Sequence, residues 1–207
     1  VDDTYQSWQQ FSLFSSDVYI LNKPEFLHNV KTISYEYLNE TKKYQTFDEI
    51  YGVYQSNNFN HDPRLSGFNE YISKTSYDIF SSQGYDMMNK EAYCTHIWMH
   101  HCSKYASAEQ HIHANNSQIS GFYILECPEN CSKMLFHDPR PGKIQMNFGF
   151  NNDNITTSAK DRILFNPEPG MLLLFNSWLP HSFTRNESHE PFTFIHFNIG
   201  VMENFNG

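Results

Sequence analysis

From residue 91 onward the chain is built from short apolar or alternating runs, at 92–99, 119–125, 133–136, 171–175 and 192–199, with clusters of Gly, Pro and Asn between them. Runs of this length, punctuated by turn residues, read as strands of an antiparallel sandwich or barrel rather than as helices. The expected fold class is mainly β, of the jelly-roll kind, with two or three flanking helices packed outside. Those helices are expected in the first ninety residues. From Pro24 to Lys43, the positions Phe26, Leu27, Val30, Ile33, Tyr37 and Leu38 recur at helical spacing, and Pro24 suits a first turn. Asp62-Pro63 reads as the N-cap and first residue of a second amphipathic helix running through Leu65, Phe68, Tyr71, Ile72, Thr75 and Ile79 to Gly84. Residues 1–22 alternate loosely (Phe11, Leu13, Phe14, Val18, Ile20), as a strand or two would. One domain over 1–207 is expected, with a mainly helical lead-in (1–90) packing on a β core (91–207). The Asn-rich segment Asn147 to Thr157 reads as a mobile loop able to cover a site.

Composition narrows the partners. The chain carries 18 Phe and 13 Tyr but only 14 Lys plus Arg, and its formal net charge is -9. The basic footprint of a duplex-binding surface is therefore lacking, and nucleic acid is not expected as a primary partner. No apolar stretch approaches the roughly 20 residues that span a bilayer, so no membrane partner is expected. The start, Val1-Asp2-Asp3-Thr4, lacks the features of a signal peptide, and a cytoplasmic location is expected. Four cysteines, Cys94, Cys102, Cys127 and Cys131, are too sparse for a disulfide scaffold in a chain of 207 residues and are read as reduced thiols. Cys127 and Cys131 are separated by three residues, whereas the usual metal or redox spacing has two.

Histidine carries the functional signal. Two imidazoles in His111-Ile112-His113 would reach one side of an extended strand and could grip a single cation. His181 follows the apolar run Met171 to Phe175 and a Trp-containing loop, and it is the third candidate ligand. Imidazole suits iron, zinc, copper and nickel alike. The plainer reading of each is a packed, capping or surface histidine. His96, His100, His101 and Cys102 form a second group. His100 and His101 point to opposite faces of any strand and are read as strand and loop residues near the mouth of a site. Trp98, Tyr123, Phe175 and Trp178 are read as core or pocket wall.

Four blocks in this order carry a resemblance: His111-Ile-His113 through Ser120-Gly121-Phe-Tyr123; Phe136-His-Asp138-Pro139-Arg140; Pro169-Gly170 through Ser177-Trp178-Leu-Pro-His181; and Phe197-Asn198. Over roughly residues 92–200 the chain is similar to the small Fe(II)/2-oxoglutarate-dependent oxygenases of bacteria and marine phages. The resemblance implies a double-stranded β-helix, cupin-like in outline. It also implies a ferrous centre with 2-oxoglutarate and O2 as cosubstrates, oxidation of an unidentified substrate, and, for a phage protein, the host cytoplasm. Homo-oligomerisation is left open.

Two departures stand out. His113 occupies the place where the wider superfamily carries Asp or Glu, so the centre is either three histidines or is completed by Asp138 as ligand or supporting group. The last strand, Pro191 to Asn198, has no arginine where the wider pattern has a basic residue. Candidates for holding the far carboxylate are Arg185, Arg140, His196 and Tyr123, with Arg185 first. Two other functions fit the same residues. One is a cupin-type metalloenzyme that does not use 2-oxoglutarate, in which Gln118 would sit near the place of a common Glu ligand. The other is a non-catalytic β-sandwich binding protein.

Overall fold

A computed structural model of the chain describes residues 16–113, 116–146, 148, 149, 151, 152, 155–157 and 159–204. Phe11, Leu13 and Phe14 of the expected first strand lie outside the described residues, as does much of the Asn-rich segment. The lead-in begins with β1 (Val18–Asn22). A 3-10 turn, Pro24–Phe26, runs into α1 (Leu27–Thr41), and a second, Pro63–Leu65, runs into α2 (Ser66–Ser82). Asp62 caps the second turn as expected, its carboxylate accepting from the Arg64 backbone N–H at 2.9 Å. Between the helices lies β2 (Val53–Gln55). The rest of the framework is strand: β3 (Lys90–Cys102), β4 (Ala108–His111), β5 (Ile119–Glu126), β6 (Met134–His137), β7 (Arg162–Phe165), β8 (Met171–Asn176), β9 (His181–Phe183) and β10 (Phe192–Glu203).

The strands form two antiparallel sheets, ordered β1-β8-β5-β10-β3-β2 and β4-β9-β6-β7. From β3 to β10 the chain steps back and forth between the sheets, so that β3-β10-β5-β8 faces β4-β9-β6-β7. This is the connectivity of a double-stranded β-helix. The larger sheet is buried on both faces, and alternation, interrupted by a register shift between Asn198 and Ile199, sorts its side chains. Ile97, Met99, Ile119, Leu125, Ile195 and Phe197 pack with Val30, Ile33, Phe68 and Ile72 of the helices. Their neighbours Phe122, Ile124, Leu173, Phe175 and Phe194 pack with Met134, Phe136 and Phe183 of the smaller sheet. α1 is tied to the end of β5 through Glu126, which receives Lys31 at 2.6 Å, the Tyr35 hydroxyl, and Thr193 Oγ1 at 2.9 Å.

The short strands β2, β4, β7 and β9 go beyond the sequence-based expectation. Each has only three or four residues, too few for a period of two to declare itself, and β4 (Ala-Glu-Gln-His) has almost no apolar content. They exist because neighbouring strands hold them: β9 lies between β4 and β6, β7 pairs β6, and β2 pairs the far end of β3.

Two glycines fix how closely the layers approach. Gly170 adopts φ +83° in the turn before β8, where its N–H reaches Ile124 O at 2.9 Å and its carbonyl accepts from Lys23 N at 2.8 Å. At Gly121 a Cβ would fall 2.1 Å from Phe197 Cζ and 2.5 Å from the Leu173 carbonyl oxygen. The second of these neighbours is backbone inside the sheet and cannot swing aside. Gly121→Ala is expected to cost about 3 kcal/mol, the upper range for forcing a methyl into a packed core, read as a lower urea midpoint at unchanged slope.

Candidate metal centre

His111 ends β4 and stands directly opposite His181 at the start of β9, as cross-strand partners. The chain leaves the strand at Ile112, yet His113 still turns to the same side because its N–H donates to Ser177 O at 2.9 Å. The three rings converge: centroids lie 4.4 Å apart for His111 and His181, 5.1 Å for His111 and His113, and 5.0 Å for His113 and His181. One nitrogen from each lies within 4.8 Å of the other two.

Backbone carbonyls set the tautomers. His111 Nδ1–H donates to Glu109 O at 2.7 Å and His181 Nδ1–H to Leu179 O at 2.9 Å. Each bond leaves Nε2 as the lone-pair nitrogen, the usual way in which a supporting acceptor orients an imidazole ligand. His113 Nε2 and His181 Nε2 face each other at 3.1 Å. That is about the separation of two adjacent donors placed roughly 2.1 Å from one ion. The donor set therefore fits a divalent transition metal.

The surroundings keep His181 and His113 neutral. His181 is 1% exposed and walled by Phe122, Phe136 and Phe175. Burial, reinforced by the neighbouring imidazoles, outweighs the Leu179 carbonyl and lowers its pKa to about 3. Burial, then the nearby His111, lowers His113 to about 4. The turn carrying Ser177 is itself braced. Ser120 Oγ donates to Asn198 Oδ1 at 2.7 Å, so its bond to Ser177 Oγ at 2.9 Å must take its proton from Ser177.

The remaining candidates separate. Asp138 is engaged by Arg140, whose Nε and Nη2 donate to its two oxygens at 2.9 and 2.5 Å. This holds the Asp138 carboxyl below its usual range, and it is not one of the three clustered ligands. Arg185 is exposed, with its guanidinium 5.9 Å from the Tyr105 ring. Tyr123 requires a correction. It points to the helix side of the sheet, packs on Phe68 and donates its hydroxyl to Lys23 O at 2.6 Å, so the sheet separates it from the histidines. His196 does reach them: its ring lies 4.3 Å from that of His113, it is 3% exposed, and its Nε2 has no hydrogen-bond partner. Gln118 is exposed and serves through its backbone, N–H to Ile199 O and carbonyl to Ser177 N. All four cysteines are free thiols, and burial pushes Cys94 and Cys102 up to about 12. Cys127 and Cys131 belong to no metal-capable group among the described residues.

Two hollows flank the cluster. A smaller, partly open one is lined by His100, His111, His196, Phe183 and Phe194. An open groove on the other side is lined by Gln55, Asn58, His96, Trp98, His113 and Asn198. Of His96, His100, His101 and Cys102, read together as residues near the mouth of a site, His96 lines the open groove. His100 and Cys102 line the smaller hollow, and His101 turns away toward Tyr54. The signal for His100 was present in the alternation His96-x-Trp98-x-His100, but its meaning depends on β3 lying beside β10.

Comparison with known proteins places these features. Residues 96–198 match the family described as "Putative 2OG-Fe(II) oxygenase". No curated protein matches the chain. Among solved structures it is similar to AviO1 from Streptomyces viridochromogenes Tue57, with TM-score 0.61, 10% identity, and 89% of this chain and 90% of that one covered. A Pseudomonas putida prolyl-4-hydroxylase gives TM-score 0.57 at 8% identity, covering 91% and 94%. The viral collagen prolyl hydroxylase of Paramecium Bursaria Chlorella virus-1, solved with 2OG, gives 0.56 at 8%, covering 90% and 96%. At these identities the likeness is one of fold.

The buried neutral imidazoles make stability depend on pH. In the unfolded chain each titrates near its ordinary value of 6.5, whereas folded His181 stays neutral to about pH 3. The unfolded state therefore binds more protons in this window, and stability present above pH 6.5 is lost as pH falls. Chelator-treated protein is expected to lose about 1.4 kcal/mol per pH unit from His181 alone within that window. Urea unfolding at pH 7, 6 and 5 checks it; a flat profile would contradict the burial of neutral rings.

Proposed function

Residues 96–198 belong to the 2OG-Fe(II) oxygenase family, and from that premise we propose that His111, His113 and His181 are the three protein ligands of its Fe(II). The chain is accordingly an oxidoreductase using 2-oxoglutarate and O2 as cosubstrates, and the family match favours this over the cupin-type and non-catalytic alternatives. What carries the ligand assignment is the convergence of three imidazoles, two of them fixed by backbone carbonyls to present Nε2. The chemistry supplied at such a centre is oxidation of a substrate C–H bond at the expense of O2 and decarboxylation of the 2-oxo acid.

The protein contributes orientation and exclusion. Leu179 and Glu109 hold His181 and His111 in one tautomer, so no proton need leave either Nε2 before metal binds. The rings of Phe122, Phe136 and Phe175 keep water from the back of His181. In our reading the open groove beside His113 admits the substrate. Trp98 and the amides of Gln55, Asn58 and Asn198 would line its path to the centre.

Anaerobic titration with Fe(II) and 2-oxoglutarate tests the assignment. A visible charge-transfer band should saturate at one iron per chain and be absent in His181→Ala. Circular dichroism should show that variant folded. Full iron occupancy of His181→Ala by elemental analysis would sink the ligand set.

A further inference from the structure

The smaller hollow, which His111 borders, has an unusual lining for a site beside the three histidines. Its walls are largely apolar, including Val53, Phe183 and Phe194, and no Lys or Arg lines it among the described residues. A charged group buried there without compensation would be costly. Beside His111 and the hydroxyls of Ser107 and Ser132, two further imidazoles border the hollow. His100 stacks flat on Phe194, with centroids 4.8 Å apart and 7° between planes. Trp98 Nε1–H donates to His100 Nε2 at 2.7 Å. An indole nitrogen can only donate, so His100 must accept at Nε2 and carry its proton on Nδ1. His196 borders the same hollow and has a buried Nε2 without a partner. Unsatisfied buried nitrogens are rare in folded proteins and want an explanation.

Resting on the three-histidine reading above, we propose that the distal carboxylate of 2-oxoglutarate lies between His100 and His196. It is held there by N–H donors of neutral imidazoles instead of by a cation. The ligand set is what permits this. A divalent ion held by three neutral imidazoles keeps both its charges, and the two carboxylates of the cosubstrate balance them. A centre with two histidines and one carboxylate would leave the same assembly one negative charge in excess, to be met by a Lys or Arg. Histidine at position 113 and the lack of arginine on β10 are then one adaptation: removing an anion at the metal removes the need for a cation at the far end.

The test uses the full chain loaded with Ni(II) and compares, by calorimetry, 2-oxoglutarate with 2-oxopentanoate, in which a methyl replaces the distal carboxylate. Wild type should prefer 2-oxoglutarate. His100→Leu and His196→Leu should each erode that preference by about tenfold or more, the scale of a hydrogen bond to a charged group, while 2-oxopentanoate binds as before. His100→Asn and His196→Gln keep an amide N–H near the lost donor and should retain most of the preference; they also serve if the leucine variants fail to fold. His113→Asp should weaken 2-oxoglutarate binding, and adding His196→Lys should recover it. Leucine variants with unchanged preference would overturn the anchor while leaving the metal ligands in place. Full affinity in His113→Asp would overturn the charge argument. A wild type that takes up no Ni(II) would overturn the metal centre and this inference with it.

Discussion

Strand β10 is hydrogen-bonded along both edges, to β3 and to β5, and this double pairing is the constraint on which the rest of the molecule hangs. A central strand cannot slip by one residue without sending every side chain to the other face. Ile195, Phe197 and Ile199 are thereby committed to the helix side, and Phe194, His196 and Asn198 to the space between the sheets. The register then carries His96, Trp98 and His100 of β3, and Ser120 and Phe122 of β5, to that same inner face. The polar groups of the interior are lined up before any metal or cosubstrate arrives.

Much of this was readable from the residues. Apolar runs long enough to show their period gave the major strands, and helical spacing with Asp62-Pro63 located α2. The pairing of His111 with His181 was legible only as an expectation, since it depends on β4 and β9, two strands too short to signal themselves. The cosubstrate anchor was least legible. Sequence reasoning put the permanent cations Arg185 and Arg140 ahead of His196 and Tyr123. Arg185 sits over Tyr105, which position along the chain could not show, and Arg140 is paired with Asp138 two residues before it. Tyr123 was misplaced for a related reason: its two neighbours in sequence point inward, and parity alone does not say which parity is the inner one.

The centre illustrates how cheaply a tautomer is chosen. No carboxylate orients His111 or His181; main-chain oxygens two residues upstream do it. Such acceptors come with the bend of the chain and add no charge to the site, which matters where the ion's whole charge is left for its ligands. Farther from the three rings, the Ser177–Ser120–Asn198 chain acts likewise, fixing the loop without placing an ionisable group nearby.

β1 has a role that the family boundaries conceal. It covers the outer edge of β8, whose sequence Met-Leu-Leu-Leu-Phe-Asn is among the most apolar in the chain. Residues 96–198 include β8 but neither β1 nor the helices over the sheet. A fragment cut to those limits would bare both an unpaired edge and an apolar face, the combination that templates strand addition between molecules. The smallest self-sufficient piece of this protein is therefore larger than its chemical core, and the lead-in acts as a built-in chaperone for β8, the strand before the turn that leads to His181.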